Sequence, residues 1–244
     1  MAIYLKKFEN HTQYDTYING SGAILPNVSI CTTEGDVHYN PYVEPVETRL
    51  VAKFDVYDTT ETTQLCDSSA VSQFSEIEID GVEQPSVVSA YTFSTEGEHT
   101  VKYTLADPTT IGESAFQYCS RLQSIDIPTS VTSIGGYAFS NCTILTSIDI
   151  PNSVTSIGYG AFMDCFIISC TIGSGVTSIG EKAFYNNSSL ESVTIMSTTP
   201  PSIGENIFGG EMGTPTINVP SGSVDAYKSA SGWSDYADYI EPIS

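Results

Sequence analysis

Basic residues are scarce in this chain. It carries 8 Lys and Arg against 29 Asp and Glu in 244 residues, a formal net charge of −21. Holding a nucleic-acid backbone takes a basic surface that displaces counterions, so the balance argues against a nucleic-acid partner. An anionic membrane surface would also repel the chain. No apolar run nears the roughly 20 residues of a membrane-crossing helix, so no membrane insertion is expected. The opening MAIYLKKFENHTQYDTYING has two lysines but neither an apolar stretch of secretion-signal length nor a small-residue cleavage site. The expectation is a chain without an N-terminal export signal.

Chemistry-bearing motifs are missing too. The three histidines, His11, His38 and His99, are scattered and far in sequence from the repeating cysteines, so neither a metal site nor a catalytic triad is expected. There is no Cys-x-x-Cys pair, no Asp-x-Asp-x-Asp-Gly calcium loop and no Gly-x-Ser-x-Gly elbow. Gly173-Ser-Gly175 and Gly180 hint at a phosphate loop, but the Lys-Ser/Thr pair that completes one is absent. The chain therefore reads as a non-enzyme, with no catalytic, cofactor-binding or metal-ligating residues.

What is present is one phrase used five times. Ile-Gly-x-x-(Ala/Ile)-Phe occurs at Ile111–Phe116, Ile134–Phe139, Ile157–Phe162, Ile179–Phe184 and Ile203–Phe208. Its phenylalanines recur 23, 23, 22 and 24 residues apart. A period that short marks a solenoid, each repeat being one coil stacked on the next. Within a unit, Ile125/Ile127 and Ile148/Ile150 alternate with polar residues as in a half-buried strand, and Pro128 and Pro151 stop it. A second short strand follows at 131–134 and 154–157, and Gly135 and Gly158 then turn the chain where a side chain would crowd it. The Ala-Phe-x-x-Cys segment is expected to be a short helical turn. Leu122, Leu145, Ile168 and Leu190 lead into the next strand.

Three of the six cysteines (119, 142 and 165) fall three residues after a phenylalanine, where the fourth copy has Asn187. An asparagine replaces a packed thiol but not half of a disulfide, so a ladder of buried thiols is expected. A lone coil buries too little apolar surface to offset the ordering of its backbone; the coils must stack, and both ends need covers. Residues 221–244 supply one. Val224, Tyr227 and Lys228 suggest a short helix, and Trp233, Tyr236, Tyr239 and Ile240 can close the core. Before the repeats, residues 49–107 alternate as four or five strands, with a hairpin turn at Asp80-Gly81. This region reads as a small immunoglobulin-like β-sandwich capping the N-terminal end. Residues 1–48 read as an attachment segment with a short helix near Thr12–Asp15 and a hairpin around Glu34-Gly35, and residues 108–220 as the repeats.

Outward residues of the first strand of each coil make the candidate binding surface: Ser124, Asp126, Ser147, Asp149, Thr171, Thr194 and Asn218. They would form polar rows, and repeat proteins bind extended partners on such faces.

The SIDIPxSVTSIGxxAFxxC phrase at about 23-residue spacing, with the tail VPSGSVDAYKSASGWSDYADYI, resembles the BspA-type bacterial leucine-rich repeats over residues 108–244. The resemblance implies a β-rich α/β fold: a right-handed leucine-rich-repeat solenoid of about five coils behind the small β-domain. It implies an adhesion protein at the cell surface or outside the cell, with a protein or cell-surface ligand as partner. The stretch FENHTQYDTYINGSGAILPNVSICTTEGDVHYNP resembles N-terminal segments of phage and prophage structural proteins from Bacteroidales. That implies an alternative, a virion accessory protein attached through residues 1–48.

Overall fold

The computed structural model describes residues 49–210 and 214–243, together with the backbone of residues 31–33 and 36–38. The chain divides into two compact units, Met1–Val46 and Glu47–Ser244. In the first, β1 (Cys31–Thr33) and β2 (Asp36–His38) pair antiparallel, in line with the expected hairpin. The proposed helix near Thr12–Asp15 and the attachment role of residues 1–48 lie outside the described residues.

The second unit opens with β3 (Leu50–Val56), β4 (Thr63–Gln64), β5 (Phe74–Ile79), β6 (Val82–Glu83), β7 (Ala90–Tyr91) and β8 (Gly97–Leu105). Alternation buries Leu50, Ala52, Phe54 and Val56 on one face of β3 and Val101, Tyr103 and Leu105 on β8. Asp80 and Gly81 both take positive φ, which fits the two-residue hairpin turn between β5 and β6. An immunoglobulin-like sandwich requires two facing sheets, and the described strands do not build them. They form one antiparallel sheet of five strands, plus the small β4–β7 ribbon. The fifth strand, β10 (Leu122–Asp126), comes from the first repeat and pairs with β3. The physical reason is coverage. The buried Tyr103 hydroxyl donates to Leu65 O beside the ribbon at 2.7 Å, and the Phe74 and Tyr103 rings pack on Phe116 of the first coil at 5.5 and 5.2 Å. The sheet's apolar face is thus spent on the solenoid.

The coils then alternate short and long strands: β9 (Thr110–Ile111), β10, β11 (Ser133–Ile134), β12 (Ser147–Ile150), β13 (Ser156–Ile157), β14 (Ser169–Ile172), β15 (Ser178–Ile179), β16 (Ser192–Ile195), β17 (Ser202–Ile203) and β18 (Thr216–Val219). The short strands stack as one parallel sheet, β9-β11-β13-β15-β17. The long ones stack as another from β12 to β18, ending on β19 (Ile240–Pro242). Between them runs the apolar core. Phe116, Phe139, Phe162 and Phe184 lie face to face, 5.3, 5.1 and 5.2 Å apart and within 8° of parallel. Phe208 follows at 6.0 Å with a 31° tilt. The glycine column leaves no room for side chains: a Cβ on Gly158 would meet Gly136 N at 2.5 Å and Gly135 C at 2.6 Å.

Two expectations are corrected. The Ala-Phe-x-x-Cys segment is not a helical turn. Residues two before and two after each phenylalanine take left-handed φ, among them Ser114, Tyr118, Tyr137, Asn141, Asp164 and Lys182. This reversal at alternate residues aims alternate N–H groups at the next coil. Phe116, Phe139, Phe162 and Phe184 donate to Ala138, Ala161, Ala183 and Ile207 at 2.7–2.9 Å. A helix would turn those donors along its own axis and leave the coils unlinked. Ile168 does not lead into its strand either. Ile167 is fully buried there and Ile168 is 42% exposed, because the third copy is one residue short between Cys165 and the strand.

The same polarity leaves carbonyls unpaired at the start of the stack and N–H groups at its end. Gln73 Nε2 donates to Glu113 O at 2.8 Å, Asp67 N–H to Ala115 O at 3.0 Å and Gln64 Nε2 to Gln117 O at 2.9 Å. At the far end the Tyr236 ring packs edge-on against Phe208 at 5.5 Å. There α1 (Val224–Ser229) and a 3₁₀ turn (Trp233–Tyr239) pack over the core. Tyr227 O–H reaches Ser197 O at 2.9 Å and Trp233 Nε1–H reaches Pro201 O at 2.8 Å. Tyr239, expected among the covering residues, is instead 44% exposed.

Cys119, Cys142 and Cys165 are buried free thiols, as are Cys66 and Cys170. Cys142 donates to Phe116 O and Cys165 to Phe139 O, at 3.2 and 3.0 Å. Asn187 makes the same bond to Phe162 O at 2.7 Å, and its Oδ1 also accepts from Ile167 N–H.

Candidate binding face

Each long strand buries two alternate apolar side chains, such as Ile148 and Ile150 in β12, and turns the intervening residues outward. Parallel pairing then lines equivalent residues up from coil to coil. Asp149, Thr171, Thr194 and Asn218 fall in one row, and β19 extends it with Glu241. Ser147 begins a second row with Ser169, Ser192 and Thr216. Five of the seven expected residues are therefore brought onto one continuous sheet. Ser124 and Asp126 are not. They sit on β10, where they face Lys53 and Val51 of β3.

Ser169, Ser192 and Thr216 were not among the expected residues, although the repeat alignment points to them, each being the residue before the first buried position. Glu241 had no such signal, since it lies beyond the repeats and joins the row only because β19 closes the sheet.

The face is acidic and short-chained. Asp149 and Glu241 are exposed, and no lysine or arginine occurs on β12, β14, β16, β18 or β19. The Asp149 carboxylate reaches inward electrostatically: after burial itself, it is the second cause that raises the thiol of Cys170. Hydroxyls, an amide and carboxylates on a rigid sheet offer hydrogen bonds and negative charge to a partner. Among the described residues, no three His, Cys, Asp or Glu side chains gather to hold a metal ion, and no helix is long and apolar enough to cross a membrane.

A leucine-rich repeat protein of known crystal structure from Bacteroides ovatus is 27% identical over 53% of this chain and 45% of its own, with a TM-score of 0.30. The chain thus spans less than half of that relative's length. No curated protein matches the sequence. The family profile for the BspA type leucine rich repeat region matches residues 109–230 in six copies, half of the 244 residues. With its repeating phrase, stacked phenylalanines and two parallel strand ladders, the chain belongs to the BspA-type leucine-rich repeat family.

Proposed function

We propose that the chain is a non-catalytic recognition protein that binds a protein or other cell-surface ligand across its long-strand face, at the cell surface or outside the cell. The observation that carries this reading is the in-register row Asp149, Thr171, Thr194, Asn218 and Glu241, with the serine row beside it. Short side chains on a sheet lose little rotamer entropy when a partner covers them. The negative charge of the face selects a partner surface that is basic and steers its approach. In this reading residues 49–107 and 221–244 are covers that keep the solenoid soluble and straight while the face between them does the binding.

The test is capture of immobilised matrix proteins and intact bacterial cells by the full chain. Thr171→Lys with Thr194→Lys should weaken capture about tenfold or more, a loss near 1.4 kcal/mol. Ser156→Lys, on the short-strand sheet, should leave it unchanged. Capture should also fall as salt rises. Equal sensitivity to both sets of substitutions would overturn the reading.

A further inference from the structure

The repeat is broken in two neighbouring coils, and the two departures meet. In the first, second and fourth coils the residue that leads into the long strand is Leu122, Leu145 or Leu190, three residues after Cys119, Cys142 or Asn187. Its N–H closes a turn onto the carbonyl of that earlier residue at 3.0–3.1 Å. The third coil has one residue fewer, so its buried leader, Ile167, stands two after Cys165 and is too near to close that turn. The Ile167 N–H goes instead to Oδ1 of Asn187 on the next coil, at 3.2 Å and out of water. A thiol at 187 is only a weak acceptor and would leave this buried donor poorly met. The shortened loop and the change from cysteine to asparagine are therefore one device.

What the device presents is apolar. Phe166 and Ile168 flank the buried Ile167 and are 48% and 42% exposed. In the other three coils the flanking pairs are Arg121 and Gln123, Ile144 and Thr146, and Ser189 and Glu191, so only this coil has two large apolar flanks. Every other phenylalanine among the described residues is buried. One exposed apolar residue is ordinary; two on a loop pinned by a side chain of the next coil are a built feature. Ile168 N–H bonds Thr146 O and Glu191 N–H bonds Ile168 O, each at 2.8 Å. Ile168 thus stands in a row with Thr146 and Glu191, directly beside the row of Ser147, Ser169 and Ser192. The face itself begins at β12: Pro151 has no N–H to give β10, and a cleft lined by Ser124–Ile127 and Ser147–Pro151 parts the two strands. We propose that Phe166 and Ile168 are the apolar anchor of this face, and that the partner is a protein whose basic surface holds an apolar pocket. The inference rests on the strand-face reading and deepens it. Anchors seated in a pocket and ringed by polar contacts carry most of an interface's energy, and a pinned loop has less freedom to lose on docking. Lys182 is the one basic residue between Arg121 and Lys228, and it is paired with Glu181 at 3.4 Å. A second copy of this chain, at −21, would bring like charges together. A polysaccharide would set hydroxyls against the aliphatic Ile168, where burial without a partner is costly to them.

The probes are immobilised matrix proteins and intact bacterial cells, offered to the full chain. Phe166→Ser with Ile168→Thr should weaken capture about tenfold or more. Its urea midpoint should stay at the native value, because both side chains face water. Phe166→Leu, which keeps an apolar side chain, should retain most of the capture. The loss in the Ser/Thr variant should persist at high salt, whereas the loss caused by Thr171→Lys with Thr194→Lys should be largest at low salt. Asn187→Cys should shift the amide signals of residues 166–168 and weaken capture as the loop loses its pin. Protease treatment of the cells should abolish their capture. Native-level capture by the Ser/Thr variant overturns the anchor, and the lysine variant then reports separately on the strand face. A lowered urea midpoint in the Ser/Thr variant also overturns it, since the two side chains would then pack within the fold. So does a native dimer in sedimentation that the Ser/Thr variant loses, which would give the pair to a second copy, or capture of cells that survives protease. No capture by the native chain overturns both readings.

Discussion

At the scale of single residues, the repeat is a set of steric and hydrogen-bonding demands. Gly158 illustrates the steric kind. It is needed because the backbone of the preceding coil occupies the place of a side chain, not because of its own φ. Gly158→Ala should cost about 3 kcal/mol, read as a lower urea midpoint, since the obstructing atoms are backbone. The thiol column illustrates the other kind. Burial pushes Cys165 and Cys66 up to about 12 from an ordinary 9.0, and raises Cys119 and Cys142 as well. As pH rises past 9, the unfolded chain releases these protons before the folded one does. The thiols' contribution to stability is therefore whole below pH 9 and is lost towards pH 12. Cys165 lowers stability by on the order of 1 kcal/mol per pH unit within that window. Urea midpoints at pH 8 and pH 10 check this, and a flat profile would contradict it. That the column was buried could be read from the spacing of the cysteines. That its members are donors to a phenylalanine carbonyl, which is why Asn187 can stand among them, needed the geometry.

At the scale of elements, the phenylalanine turns matter most. Their alternate left-handed residues give each coil junction a direction, with N–H groups pointing onward and carbonyls pointing back. A stack with direction needs different covers at its two ends. Glutamine side chains and one backbone N–H meet the leading carbonyls, and the Tyr236 ring packs on the last phenylalanine. Gln64→Ala and Gln73→Ala should each cost about 1 kcal/mol, and their double variant about 2, measured by chemical unfolding. No periodicity marks either glutamine, because both serve backbone atoms more than 39 residues away in sequence. The strands were more legible: alternation and proline placed them. Pro151 also had a second meaning that sequence reading missed, the absence of the bond that would tie β12 to β10.

At the scale of the whole molecule, one buried cluster runs from Leu50 of the first sheet to Ile240 of the last strand. A core shared from end to end couples its ends. Trp233, the one tryptophan in the chain, is fully buried at the C-terminal end. Its fluorescence in rising urea should therefore change together with the far-ultraviolet circular dichroism of the strands, in one transition. A tryptophan change that completes first would show the C-terminal cover opening by itself.

The period, the buried phenylalanines, the strand alternation and the polar outward rows all follow from the order of residues, because each is a local pattern repeated at a fixed spacing. The tertiary structure decided three further things: that β10 leaves the repeats to complete the first sheet, that Glu241 extends the outward polar row, and that a cleft opens where the ladder is interrupted. These depend on which backbone donors and acceptors find partners across long stretches of chain, and no local pattern encodes that choice.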